Sequence, residues 1–84
     1  MRLRVKCFAW VREATGAEEI EVELPAGSTV AALRRQLVEA YPALAERMGA
    51  LAVSLNLEFA REEDPVGPSD EVALIPPISG GSPG

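Results

Sequence analysis

Residues 19–41, EIEVELPAGSTVAALRRQLVEAY, change their apolar period part-way along, and that change decides the fold. Ile20, Val22 and Leu24 alternate with Glu19, Glu21 and Glu23, the period-2 pattern of a strand with one wet and one buried face. Pro25-Ala26-Gly27 then breaks the strand, and Ser28 or Thr29 stands where a helix N-cap is needed. Beyond it, Val30, Leu33, Leu37 and Tyr41 recur at i, i+3, i+7 and i+11, which is one face of a helix. Arg34, Arg35 and Glu39 fall on the other side and are expected to face solvent.

Upstream, residues 2–9 also alternate, with Leu3, Val5 and Cys7 on one face and Arg2, Arg4, Lys6 and Phe8 on the other. Trp10 to Thr15 suit a short helical turn stopped by Gly16, so the first two strands read as an antiparallel pair. Downstream, Pro42 ends or restarts the main helix, and PALAERM adds a turn or two before Gly49. Leu51, Val53 and Leu55 return to strand period, and Asn56-Leu57 reads as a tight turn into a short strand near Glu58–Ala60. REEDPVGPSD is loop by composition, and EVALI is a last strand closed by Pro76-Pro77, which lack backbone donors. The element order is strand, strand, helix, strand, short strand, strand. It predicts an α+β fold of the β-grasp (ubiquitin-like) type, a mixed sheet with one main helix across one face. The first and last strands suit the centre of that sheet. Residues 1–75 form this domain, and 76–84 form a flexible tail.

Composition narrows the chemistry. The chain carries 13 acidic and 8 basic residues, net charge −5, which argues against nucleic-acid binding, a role that needs clustered cations. The acidity suits either a partner with a basic face or simple solubility. There is no histidine and one cysteine, so an internal disulfide, a Cys/His zinc site and a His-based triad are all excluded. Cys7 is a formal candidate for a persulfide, but its apolar strand position reads as an inert core thiol. No apolar run is long enough to span a membrane, and the chain start reads as a strand rather than a signal peptide, so the expected location is cytoplasmic. Neither a bound metal nor a bound cofactor is expected. A free-standing enzyme is disfavoured, because no nucleophile–base pair, metal cluster or phosphate loop is visible.

FAWVREATG at 8–16, AVSLNLEF at 52–59 and DEVALIPPISGG at 70–81 together resemble the small, sulfur-carrying subunit of molybdopterin synthase, a ubiquitin-like family. The resemblance spans residues 3–81, and IPPISGG is its most specific part. It implies chemistry on the chain's own end. A ubiquitin-activating-type enzyme, using ATP and Mg, adenylates the carboxylate of Gly81, and sulfur replaces AMP to leave a thiocarboxylate. The tail then enters the large synthase subunit, where sulfur passes to cyclic pyranopterin monophosphate to build the dithiolene of the molybdenum cofactor. Gly80 and Gly81 lack side chains and suit a narrow channel, while Pro76 and Pro77 favour an extended arm. Residues 76–81 reach about 20 Å when extended.

The resemblance also implies that Phe8, Phe59 and Ile75 form an apolar docking patch on the uncovered face, with Arg12 assisting. Glu58, Glu62, Glu63, Asp64, Asp70 and Glu71 either meet a basic partner or form a solvated loop. This sequence departs from the family pattern by continuing past the diglycine with Ser82-Pro83-Gly84. An amide to Ser82 leaves Gly81 without the carboxylate that adenylation needs. Trimming by a protease is the favoured resolution. The others are activation at Gly84, and a non-carrier β-grasp interaction module. Carriers for cysteine, tRNA thiolation or thiamine are alternatives within the same chemistry.

Overall fold

A computed structural model of the protein describes residues 1–76. Five strands, β1 (Arg2–Cys7), β2 (Glu19–Glu23), β3 (Ala52–Leu55), β4 (Glu58–Phe59) and β5 (Val72–Ile75), form one sheet in the order β2-β1-β5-β3-β4. β1 runs parallel to β5, and the other three pairings are antiparallel, so the sheet is mixed. The first and last strands lie side by side in its interior, as their uninterrupted apolar faces suggest. Two α-helices, α1 (Trp10–Thr15) and α2 (Val30–Ala40), and a 3-10 helix over Pro42–Ala50 complete the fold. The β-grasp expectation holds.

The core lies between α2 and one face of the sheet. Leu3, Val5, Val30, Leu33, Leu37, Leu44, Val72 and Leu74 are fully buried, and Ile20, Val22, Leu24 and Val53 join the same cluster. Apart from Leu44 in the 3-10 helix, these are residues that the strand and helix periods place inward, whereas Leu55, on the inward set of β3, is only partly buried. Tyr41 forms the C-cap of α2 and is only partly buried, because Pro42 turns the chain away before the face can continue. The Thr29 hydroxyl caps α2 by accepting from the Ala32 amide at 3.4 Å. Two further orphan donors are met by the loop that precedes β5: the Val30 amide donates to the Asp64 carbonyl at 2.9 Å, and Ala31 to Glu62 at 3.0 Å.

Arg34 departs from the sequence reading. Its side chain is 17% exposed, its Nε donates to both carboxylate oxygens of Glu62 at 2.8 and 3.0 Å, and its Nη1 donates to the Met48 carbonyl at 2.8 Å. Periodicity marked it as outward, but a long guanidinium arm finds partners on the flanking loop and 3-10 helix. Arg35 and Glu39 are exposed as expected.

Candidate docking face and C-terminal exit

The strand registers place the side chains of the uncovered face in rows. One row runs Glu19–Lys6–Ala73–Ser54–Phe59 across all five strands. The next pairs Ile75 with Ala52, and continuing the parallel register one step past Cys7↔Leu74 brings Phe8 alongside Ile75. The face is therefore divided. Its β1–β2 half is a charge ladder in which Arg2, Arg4 and Lys6 oppose Glu23, Glu21 and Glu19. Its β5–β3–β4 half carries Ala73, Ile75, Ala52, Ser54 and Phe59.

Phe8 and Phe59 are exposed, at 46% and 77%, and Ile75 is partly buried. β1 stops at Cys7, one residue before Phe8, although the alternation runs on to residue 9. Ala9 takes φ 53° with ψ −129°, a positive-φ conformation outside the left-handed helical region, which turns the chain into α1 and leaves Phe8 at the strand's end. Gly16, at φ 80°, closes α1, its amide donating to the Arg12 carbonyl at 2.8 Å. Arg12 is exposed beside this patch and lies 3.8 Å from Glu18, and both residues line a shallow depression of about 290 Å³ with Lys6, Phe8 and Glu19. The three apolar residues singled out in the sequence thus share one face, with Arg12 at its margin.

The sequence reading missed Leu57. It sits in the two-residue turn between β3 and β4, is 83% exposed, and has φ 71°, with Asn56 before it at φ 55°. Positive φ at both central residues marks a type I′ turn, which favours Asn-Gly. A leucine there is both strained and wet, with no return inside the chain. The available signal was an apolar side chain inside a turn. Asn56 fixes the turn: its Nδ2 donates to Asp70 at 3.0 Å, and its Oδ1 accepts from the Glu71 amide at 2.9 Å.

Most of the acidic residues considered for docking have partners within the chain. Glu62 binds Arg34, Asp64 accepts from the Arg61 amide at 2.9 Å, Asp70 also accepts from the Gly67 amide at 2.8 Å, and Glu71 accepts from Lys6 at 3.1 Å. The loop 61–71 is thus held both by its own backbone contacts and by Lys6, Arg34 and Asn56.

Cys7 is 3% exposed and points to the core. Burial pushes its thiol above the ordinary value of 9.0, with Glu19 adding to the rise and a hydrogen bond to Thr15 opposing it. A thiol held protonated and out of solvent is a poor nucleophile, so the core-thiol reading stands. Among the described residues no group of His, Cys, Asp and Glu is arranged to hold a metal, and no helix is long and apolar enough to cross a membrane. Pro76 is partly buried just past β5. Pro77, Gly80, Gly81 and residues 82–84 lie outside the described residues.

The ThiS family model matches residues 5–81, taking in both glycines of the diglycine and stopping before Ser82. The chain belongs to the ThiS family. Within this family it is 37% identical to the molybdopterin synthase sulfur carrier subunit of Arabidopsis thaliana, over 96% of this chain and 84% of that one. It is 40% identical to the subunit of the same name from Chlamydomonas reinhardtii, over 96% of this chain and all of that one. The crystal structure of small archaeal modifier protein 1 from Haloferax volcanii superposes with a TM-score of 0.85 at 31% identity, covering 95% of this chain and 99% of the other. These likenesses span the whole β-grasp unit of the ThiS-family chain, so its fold and its family are settled together.

Proposed function

We propose that this ThiS-family chain is the sulfur carrier subunit of a molybdopterin synthase. The observation that carries the reading is its 37–40% identity, over 96% of its length, to relatives of that name. The geometry supports it. The last residue of β5, Ile75, lies in the apolar patch, so a partner seated on Phe8, Phe59, Ile75 and Leu57 lies next to the point where the chain leaves through Pro76.

In this reading residues 76–84 are the working tail. A protease releases Ser82-Pro83-Gly84, an adenylating enzyme using ATP and Mg activates the Gly81 carboxylate, and sulfur displaces AMP to give the thiocarboxylate. The large synthase subunit accepts the tail, and sulfur passes to cyclic pyranopterin monophosphate. Gly80 and Gly81 supply the slim, permissive backbone, and Pro76 and Pro77 lower the entropy lost on insertion. The chain is a co-substrate whose side chains dock rather than catalyse.

The likeness to a protein named a modifier supports a second reading. There the same activated end passes to an amine of another protein, and only the acceptor differs.

Intact mass spectrometry of the protein from its own cells tests both. The carrier reading expects a species ending at Gly81, part of it heavier by one oxygen-to-sulfur exchange, copurifying with a larger subunit. A population joined through Gly81 to other proteins favours the second reading. Unmodified chain extending past Gly81 in cells making molybdenum cofactor refutes both.

A further inference from the structure

The chain has one lysine, Lys6, against seven arginines. Its other primary amine is the N-terminus, which is partly buried and donates to the Leu24 carbonyl at 2.6 Å. Lys6 is 47% exposed and stands on the uncovered face, in the same cross-strand row as Phe59 and at the border between the charge ladder and the apolar patch. Its ammonium donates to Glu71 Oε2 at 3.1 Å, and Glu19 is its neighbour across the β1–β2 ladder.

A chain whose terminus becomes an acyl adenylate has a specific hazard. Primary amines attack such carbonyls, and the face that meets the activating partner is where an amine would meet one. Guanidinium groups stay protonated and do not compete. We infer that Lys6 is the single side-chain amine at which this chain can be acylated, and that the carboxylates around it, Glu71 first, hold it back. In the reaction, the Nζ lone pair attacks the acyl carbon and a C–N bond forms. The C–O bond to the phosphate breaks, AMP leaves with the electron pair, and the ammonium loses its proton to solvent. To attack, Nζ must first release both a proton and its carboxylate partner. An exposed ion pair of this kind restrains it by about two- to five-fold. The inference takes its purpose from the carrier reading, but Lys6 chemistry can be measured whether or not Gly81 is ever activated.

The experiment treats the 84-residue chain with acetyl adenylate in limiting amount, with Nα-acetyl-lysine amide in the same tube as a reference amine. Peptide mass mapping gives separate rates at Lys6 and Met1. Lys6 is expected to react about two- to five-fold more slowly than the reference. Glu71→Gln, or the Glu19→Gln/Glu71→Gln pair where Glu19 takes over, should restore the reference rate, and 1 M salt should do the same for the unsubstituted chain. Lys6→Arg should abolish side-chain amine acylation and leave Met1 unchanged. Equal rates for Lys6 and the reference, or no response to the double substitution in a folded chain, overturns the inference.

Discussion

Leu57→Gly separates docking from folding, because its two expected effects have opposite signs. In the free chain Leu57 has φ 71° and is 83% exposed, so its side chain contributes little packing while its backbone is strained. A non-glycine residue in this region costs on the order of 1 kcal/mol, and glycine removes that cost. Glycine also loosens the unfolded chain, by about 0.4–1 kcal/mol, which offsets part of the gain. The net is a stabilisation of about 0–0.6 kcal/mol, or a Tm rise of up to about 5 °C for a domain of this size. Binding should move the other way. Covering a leucine is worth about 1.5–3 kcal/mol, and most of that area is still open here, so on the carrier reading proposed above its loss should weaken the complex with a large synthase subunit by about 2 kcal/mol, roughly 30-fold. Thermal melts of the free chain and calorimetric titration with the large subunit give the two numbers. A fall in Tm would mean that Leu57 packs within its own domain, and unchanged affinity would remove the hairpin tip from the docking face. Either result refutes the reasoning.

Three other outcomes follow from the same geometry. Phe59→Ala, at a residue 77% exposed, should change stability by less than about 0.5 kcal/mol while, on the carrier reading, weakening large-subunit binding at least tenfold, as calorimetry would show. Arg34→Ala should destabilise the chain by about 1–2 kcal/mol in urea titration, since it leaves the Met48 carbonyl without its charged donor; Glu62→Gln should cost less, because that carboxylate is about half exposed to water. Because the folded Cys7 thiol keeps its proton to higher pH than the unfolded one, deprotonation favours unfolding, and stability should fall as pH rises past 9.0; urea titrations of the unsubstituted chain and Cys7→Ala from pH 7 to 10 check this, and an equal slope in both would remove Cys7 as the cause.

The fold was legible because its elements carry clean periods. Alternation in β1 and β2 and the 3.6-residue spacing of α2 each point one face to the core, and the buried residues are the ones those periods name. Element ends were less legible. The alternation passes Cys7 without a break, while the strand stops there because Ala9 adopts a backbone conformation that no residue type announces. That Phe8 and Ile75 share the uncovered face was legible by parity, and the register places Phe59 on that face with them. Leu57 escaped because turns are read for Gly, Asn and Pro, and a leucine in one looks like an accident of sequence. Arg34 escaped because its partners, Glu62 and Met48, are 28 and 14 residues away, and periodicity carries no information about such contacts.

The division of the uncovered face follows from the same alternation. β2 is an edge strand, and its outward Glu19, Glu21 and Glu23 would confront one another if a second copy added there antiparallel, so like charge blocks that pairing. The cations of β1 neutralise the ladder from within, through contacts such as Arg2–Glu21 and Arg2–Glu23 at 3.8 and 3.9 Å, which are long, exposed and individually worth little. What remains open to a partner is the apolar half beside β5, the strand that leads into the tail. On the carrier reading proposed above, a small domain that presents its own terminus to larger proteins needs one sticky region, next to that terminus, and a surface elsewhere that does not self-associate. The alternating glutamates of residues 19–23 and the apolar residues of 52–59 and 72–75 meet those two needs on a single sheet face.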